Sequence, residues 1–483
     1  MRTVLSALLA SFLALLVPAL LVPAPAAAAR PAAAAPAPSV PAPAGLTSTD
    51  VSFKGHGGVT LHGTVLAKPK EAVARPGVVL VTGSGSGVPR EHLLTEAVAF
   101  ARQGLAVLIY DKRTEGYSGF RRSYDELAVD AAAAVEALRA RPGVDRSKVG
   151  IWGLSEGGWV APLAASRSDA TAFVIVVGGN AMSPLRQQTW NEMSGLRRAG
   201  ASGSLVDRGK RNFNRFGADT GLFAEAYFDA QGVLERVDQP LLGIWGVHDL
   251  QTPPGDNPPL FAEALRRGGN THYTFRYFAD ANHGAHQTPD KGITHGEALA
   301  PGYAELVGSW VRDVTGGRLP NADAPAPPKQ DHPSPDVPRS AWWESAWTQT
   351  VVFAFFLLAF ATYPVWALVR RVRGRRAPPV SRWARLVAGA GAGAVLGVFV
   401  YLFYLMSAGR WPDPGPLLGG EPLVWLALRV LAVAAIAATV ATALAWRRAG
   451  RSVPRGERVR VGLLLTAGTV FLPWALYWGL LVP

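Results

Sequence analysis

The 483-residue chain has no cysteine. Disulfides, a thiol nucleophile and a lipidated cysteine anchor are therefore excluded, and any exported part must be stable through its core alone. Charge is scarce as well, at 17% of residues, and no lysine occurs from residue 341 onward. The H-E-x-x-H pattern is missing and the carboxylates around His283, His286 and His295 are scattered, so no metal is expected. The glycine-rich stretch 82–87 lacks the Lys-Ser/Thr ending of a phosphate loop, which removes the nucleotide reading and leaves no expected cofactor. The net charge of +13 is concentrated: 15 arginines against 4 acidic residues from residue 341 put +11 there. Those arginines cluster between apolar runs rather than forming a continuous basic face, so nucleic acid is not an expected partner.

Long apolar runs are present in its place. Residues 347–369, 386–407, 422–445 and 461–482 are each long enough as a helix to cross a hydrocarbon core of about 30 Å. They predict an all-α region of four transmembrane helices within 341–483, with the lipid bilayer as partner. The loops at 370–376 and 446–460 are arginine-rich and belong on the cytoplasmic side. The end at Trp347, and the domain before it, then lie outside. Arg429 interrupts the third run and is expected to pack or to snorkel toward a helix end.

The N-terminus predicts the same side independently. Met1-Arg2, an apolar stretch over 4–22 and small residues through Ala29 read as a signal peptide or signal anchor over 1–29. Residues 30–46 are mainly Ala and Pro and form a semi-rigid linker; 317–340, rich in Pro, Ala and Asp, form a second. The expected localisation is a cell membrane, multi-pass, with the domain at 47–316 on the extracytoplasmic side.

That domain opens with alternating residues on either side of Gly55-His-Gly-Gly58, a β-hairpin pattern. Apolar strands then alternate with helical spacing. Strands are expected at 77–81, 105–110, 148–152, 172–177, 240–245 and 272–278, and helices at 91–103, 125–139 and 296–314. Continuously apolar strands separated by helices predict an α/β fold with a mostly parallel sheet covered on both faces. Residues 181–237 hold no strand pattern, and so long a stretch inside a domain reads as a helical lid insertion.

Chemistry centres on Gly153-Leu-Ser155-Glu-Gly157, set between an apolar strand and a helix. A serine on so sharp a turn needs small residues two before and two after it, because side chains there would collide as the backbone doubles back. Alone, so short a motif proves little in a chain with 52 glycines. A serine nucleophile also needs a base, and the base a carboxylate to orient it. Asp249 follows the strand at 240–245 and His283 the strand at 272–278. Asp256 and His286 are the nearest rivals, His248 reads as a loop residue, and Asp111 and Arg113 read as a structural ion pair.

Over residues 49–316 the sequence resembles the α/β-hydrolase superfamily. The resemblance rests on the nucleophile turn, on Gly246-Val-His-Asp249 and on Asn282-His283-Gly284, in that order along the chain. Tyr110-Asp-Lys-Arg113 with Gly116 and Ser118 is similar to a loop of the serine-aminopeptidase and dienelactone-hydrolase-like branches, with Thr114 standing where glycine is usual. The resemblance implies catalysis by Ser155, Asp249 and His283. It also implies an oxyanion hole from the backbone N–H groups of Glu156 and of Ser84, in a loop similar to the H-G-x-G version. The expected activity is hydrolysis of a small-molecule acyl substrate, an ester or thioester. Cleavage of a peptidyl amide is the alternative, and a non-catalytic sensor or scaffold is a third reading of a different class.

Overall fold

Alternation of side chains around a glycine-rich turn makes the first two strands a hairpin: β1 (Thr47–Lys54) pairs antiparallel with β2 (Thr60–Ala67). The computed structural model describes residues 40–69, 73–294, 296–374, 382–408, 411–449 and 455–482. The signal segment 1–29, most of the linker 30–46, parts of both arginine-rich loops and His295 lie outside the described residues.

After the hairpin, strand and helix alternate: β3 (Arg75–Val81), α1 (Leu94–Arg102), β4 (Ala106–Tyr110), α2 (Tyr124–Arg139), β5 (Val144–Leu154), α3 (Gly157–Ala165) and β6 (Val174–Val177). Then come α4 (Pro184–Arg198), α5 (Arg211–Asp219), α6 (Ala230–Leu234), β7 (Leu241–Gly246), α7 (Asn257–Arg267), β8 (Tyr273–Phe278) and α8 (Tyr303–Thr315). The eight strands form one sheet in the order β1-β2-β4-β3-β5-β6-β7-β8, antiparallel through the hairpin and its junction with β4, and parallel from β4 to β8.

Strand periodicity explains the two-sided core. Val79 and Val81 face one apolar cluster with α2, α3 and Phe261 of α7, while Val78 and Leu80 face the other with Phe100 of α1 and Tyr303 and Val307 of α8. Successive side chains of a strand point to opposite faces, so a strand covered on both sides must be apolar at every position. Helix α8 starts at Tyr303 rather than near Gly296, because Pro301-Gly302 breaks the pattern, with Gly302 at φ +80°.

The chain divides into two units. One holds the described residues through Trp190 together with Gly221–Asp336; the other holds Asn191–Thr220 and Val337–Pro483. The second unit contains α9 (Ala346–Val372), α10 (Arg382–Ser407), α11 (Leu423–Ala449) and α12 (Arg455–Tyr477). All four are long and apolar enough to cross a membrane; the shortest span, 20 residues, is about 30 Å as a helix. Arg429 reaches back to pair with Glu421, two residues before α11 begins, so its charge is met by a neighbouring carboxylate.

The middle of the stretch expected as a lid, 191–220, groups with this helical unit. Its polar side chains supply the reason. Asn212 Nδ2 donates to the Tyr477 carbonyl at 2.6 Å, one of the last carbonyls of α12, which have no partner within the helix. Trp425 Nε1 donates to Ser204 Oγ at 3.1 Å, and Arg215 pairs with Glu344 at 2.6 Å. Within the segment, buried Lys210 lies 2.8 Å from Glu192, whose carboxylate also accepts from Asn214 Nδ2 at 2.8 Å.

Candidate active site

The site is built at the carboxyl ends of β5, β6, β7 and β8. Ser155 stands between β5 and α3 at φ +57°, a left-handed backbone that a non-glycine residue seldom adopts. Its N–H donates to the Val177 carbonyl at 3.0 Å, which pins the turn to the end of β6. The two flanking glycines are required by contact. A Cβ on Gly153 would lie 2.0 Å from the Gly157 carbonyl oxygen, and one on Gly157 would lie 2.4 Å from that of Val81.

Asp249 and His283 come together as the residue order implied. His283 Nδ1 lies 2.8 Å from Asp249 Oδ2, and both side chains are buried. The carboxylate is held from several sides: Oδ1 accepts the N–H groups of Gln251 at 2.7 Å and Thr252 at 2.8 Å, and Oδ2 accepts the Thr252 hydroxyl. An ionised carboxylate can only accept, so the proton of the neutral imidazole resides on Nδ1 and the Nε2 lone pair is free to accept from a donor. Nε2 is buried and makes no hydrogen bond among the described residues. The ring packs on Gly178, where a Cβ would meet Nδ1 at 2.6 Å. Gly178 directly follows Val177, the residue that receives the Ser155 N–H, so the Ser155 backbone and the imidazole meet the same strand end, although the Ser155 hydroxyl makes no hydrogen bond to the ring.

The rival residues are engaged elsewhere. Asp256 accepts from Gln330 Nε2 and from the Ser334 N–H. His286 Nε2 lies 2.8 Å from Glu96 and its Nδ1 3.0 Å from the Gly296 carbonyl. Burial opposes charge on this ring, but the Glu96 carboxylate and the Gly296 carbonyl outweigh it and hold the pKa above the ordinary histidine value. A pKa raised by folding contributes stability that is complete below the unfolded value and lost as pH rises through the folded one. His286→Gln is therefore expected to lower Tm most near pH 5.5, with the gap to the native chain narrowing toward pH 9. Thermal melts of both proteins across that range check it, and a gap that widens with pH would contradict it.

One expectation is corrected. Asp111 and Arg113 do not pair with each other: Asp111 accepts the Arg90 N–H at 2.9 Å, whereas Arg113 bonds Asp130 at 2.8 Å and Glu126 at 2.7 Å. A buried guanidinium needs buried acceptors, and α2 supplies them. Burial pushes the Asp130 carboxyl above its usual range, against the pull of the His56 N–H and of Arg113.

What sequence reading missed surrounds the side chain of Glu156. It is buried and accepts from Lys112 Nζ, from the Tyr117 hydroxyl at 3.0 Å and from Arg122 at 2.8 Å. The available signal was a carboxylate in an otherwise apolar elbow, which cannot be buried without cations. Among the described residues no cluster of His, Asp and Glu is suited to hold a metal ion.

Strand order, two helical layers and a serine raised on the sharp turn after β5 are those of the α/β-hydrolase fold, and the chain carries that fold, followed in sequence by four helices long and apolar enough to cross a membrane. Comparison with known proteins agrees, since residues 92–300 match the prolyl oligopeptidase family. A polyketide transferase (claH) of Penicillium crustosum is 34% identical over 132 residues, covering 26% of this chain and 43% of that protein. A thiohydrolase (aneE) of Aspergillus aculeatus is 31% identical over 121 residues, covering 24% of this chain and 36% of that protein. The chain thus spans less than half the length of these curated relatives. Among solved structures, a 2,6-dihydroxy-pseudo-oxynicotine hydrolase aligns with 57% of this chain and 70% of its own at 16% identity and TM-score 0.41. An acetyl xylan esterase from Paenibacillus sp. R4 aligns with 56% and 84% at 19% identity and TM-score 0.39.

Proposed function

We propose that this protein is an exported, membrane-anchored serine hydrolase that cleaves carboxylic esters or thioesters through an acyl-enzyme, with its hydrolase unit on the extracytoplasmic side. Ser155 Oγ attacks the acyl carbonyl carbon as its proton passes to His283 Nε2. Asp249 holds the ring in the tautomer that can receive that proton and stabilises the imidazolium that forms. The N–H groups of Ser84 and Glu156 stabilise the tetrahedral anion, at a helix start whose dipole favours negative charge. When the anion collapses, the bond to the leaving oxygen or sulfur breaks, and that atom takes the proton from Nε2. Water, deprotonated by the same nitrogen, then releases the acid.

A single observation carries this reading: an imidazole bonded through Nδ1 to a buried carboxylate, with Nε2 buried and unpartnered, against the strand end that also anchors Ser155. An imidazole whose Nδ1 is held by a carboxylate and whose Nε2 is engaged by no structural partner is what a general base for a serine hydroxyl requires. The relatives named as a polyketide transferase and a thiohydrolase favour an acyl substrate. The prolyl oligopeptidase family match favours a second reading, hydrolysis of a peptidyl amide by the same groups.

A membrane-impermeant fluorophosphonate probe applied to intact cells tests class and orientation together. Labelling of the native chain that disappears in Ser155→Ala is expected. Silence of folded protein even after permeabilisation would favour the scaffold, and labelling only after permeabilisation would overturn the orientation. Turnover of p-nitrophenyl esters and acyl thioesters against aminoacyl p-nitroanilides then separates esterase from peptidase.

A further inference from the structure

We propose that Lys112 is a positioning residue that fixes the two oxyanion-binding N–H groups, those of Ser84 and Glu156, to one buried charge; the proposal rests on the serine-hydrolase reading above. A trans peptide group is planar, so the carbonyl of Gly83 and the N–H of Ser84 lie in one plane and point in opposite directions. Lys112 Nζ donates to the Gly83 carbonyl at 2.7 Å. Whatever holds that carbonyl aims the Ser84 N–H away from the lysine. Gly83 stands beside the nucleophile, since a Cβ built on it would lie 3.3 Å from Ser155 Cβ and 3.8 Å from Ser155 Oγ.

The same ammonium bonds the side chain of Glu156, whose own N–H is the second donor. Tyr117 closes the circuit. Its hydroxyl donates to the Glu156 carboxylate at 3.0 Å and accepts the Gly85 N–H at 3.1 Å, and its ring lies 4.4 Å from Lys112 Nζ. The loop is thus gripped on both sides of Ser84, by the lysine before it and the tyrosine after it, and both grips end on one carboxylate. Arg122, 2.8 Å from the other carboxylate oxygen, makes the cluster two cations to one anion. The side chains of Lys112 and Glu156 are 5% and 2% exposed. A buried ion pair is a poor way to gain stability over an apolar pair, but a good way to specify one geometry. Preorganised donors are most effective where they cost no rearrangement at the moment charge develops.

The test compares the full-length detergent-solubilised native chain with Lys112→Met and Tyr117→Phe. The readouts are kcat and KM for a p-nitrophenyl ester, inhibition by a trifluoromethyl ketone that forms a tetrahedral adduct, and Tm. Lys112→Met is expected to lower kcat about 10- to 100-fold and the affinity for the ketone by a similar factor, with KM changed less than about twofold. Tyr117→Phe removes only the hydroxyl contacts and is expected to act in the same direction by about three- to tenfold. It decides the matter alone should Lys112→Met not fold. Folded variants whose kcat and ketone affinity stay at native values would overturn the proposal and leave the serine-hydrolase reading standing. A native chain that neither reacts with fluorophosphonate nor turns over any acyl substrate would overturn both.

Discussion

Ser155→Ala is expected to lower kcat by about 10⁶-fold, leaving at most the residual acceleration of about 10³- to 10⁴-fold over water that binding and the oxyanion donors provide. In the proposed reaction the Ser155 oxygen forms the covalent bond, so its removal ends the acyl-enzyme route. His283→Ala is expected to cost nearly as much, and the double substitution no more than either one. Nucleophile and base act as a unit, and either is idle without the other. Asp249→Asn should be milder, on the order of 10⁴-fold, because the amide can donate to Nδ1 and stabilise the wrong tautomer without disturbing the fold. Initial-rate kinetics on the preferred ester, with Tm measured for each variant, check the series. Additive losses in the double variant would contradict the assignment of these residues to one proton-transfer unit.

Gly153→Ala is expected to have a large structural effect for a single added methyl group. The added carbon would lie 2.0 Å from the Gly157 carbonyl oxygen and 2.4 Å from its carbonyl carbon, contacts with backbone that no rotamer change relieves. The strand and the helix must move apart by more than an ångström, at a cost on the order of 3–5 kcal/mol. Gly153 lies on β5, in the middle of the sheet, so the displacement propagates to both neighbours. The expected outcome is loss of fluorophosphonate labelling together with a fall in Tm. A variant that keeps native Tm and activity would mean that the turn is looser than its contacts indicate. By contrast, an alanine at Gly217, which has nothing within 4 Å of its would-be Cβ, is expected to leave both unchanged.

Much of the fold was legible because its signals are local. An apolar run such as Val174–Val177 announces a buried strand by itself, and the turn at Gly153-x-Ser155-x-Gly157 announces a backbone reversal by the two side chains it omits. The order of strands was less accessible: β3 lies between β4 and β5 through a crossover that adjacent sequence does not encode. The candidate site was legible where residues sit just past strand ends, as Ser155, Asp249 and His283 do. It was hidden wherever a side chain chooses its partner across the fold. Arg113 lies two positions from Asp111 and looks paired with it, yet bonds Asp130 and Glu126 on α2. Lys112, between them in sequence, turns to Glu156, 44 positions away.

By itself, then, the order of amino acids determined the mostly parallel sheet, the four apolar helices that follow it in the chain and the strand ends at which Ser155, Asp249 and His283 stand. Each of these follows from periodicity, run length or the size of a few neighbouring side chains. Only the tertiary structure decided which carboxylate receives Lys112, and that residues 191–220 pack with the helical unit rather than stay wholly within a lid. The reason is physical. Hydrophobic patterning acts over a few residues and repeats along the chain, whereas a buried charge or an uncapped helix end is satisfied by whichever complementary group folding brings to it, at any distance in sequence.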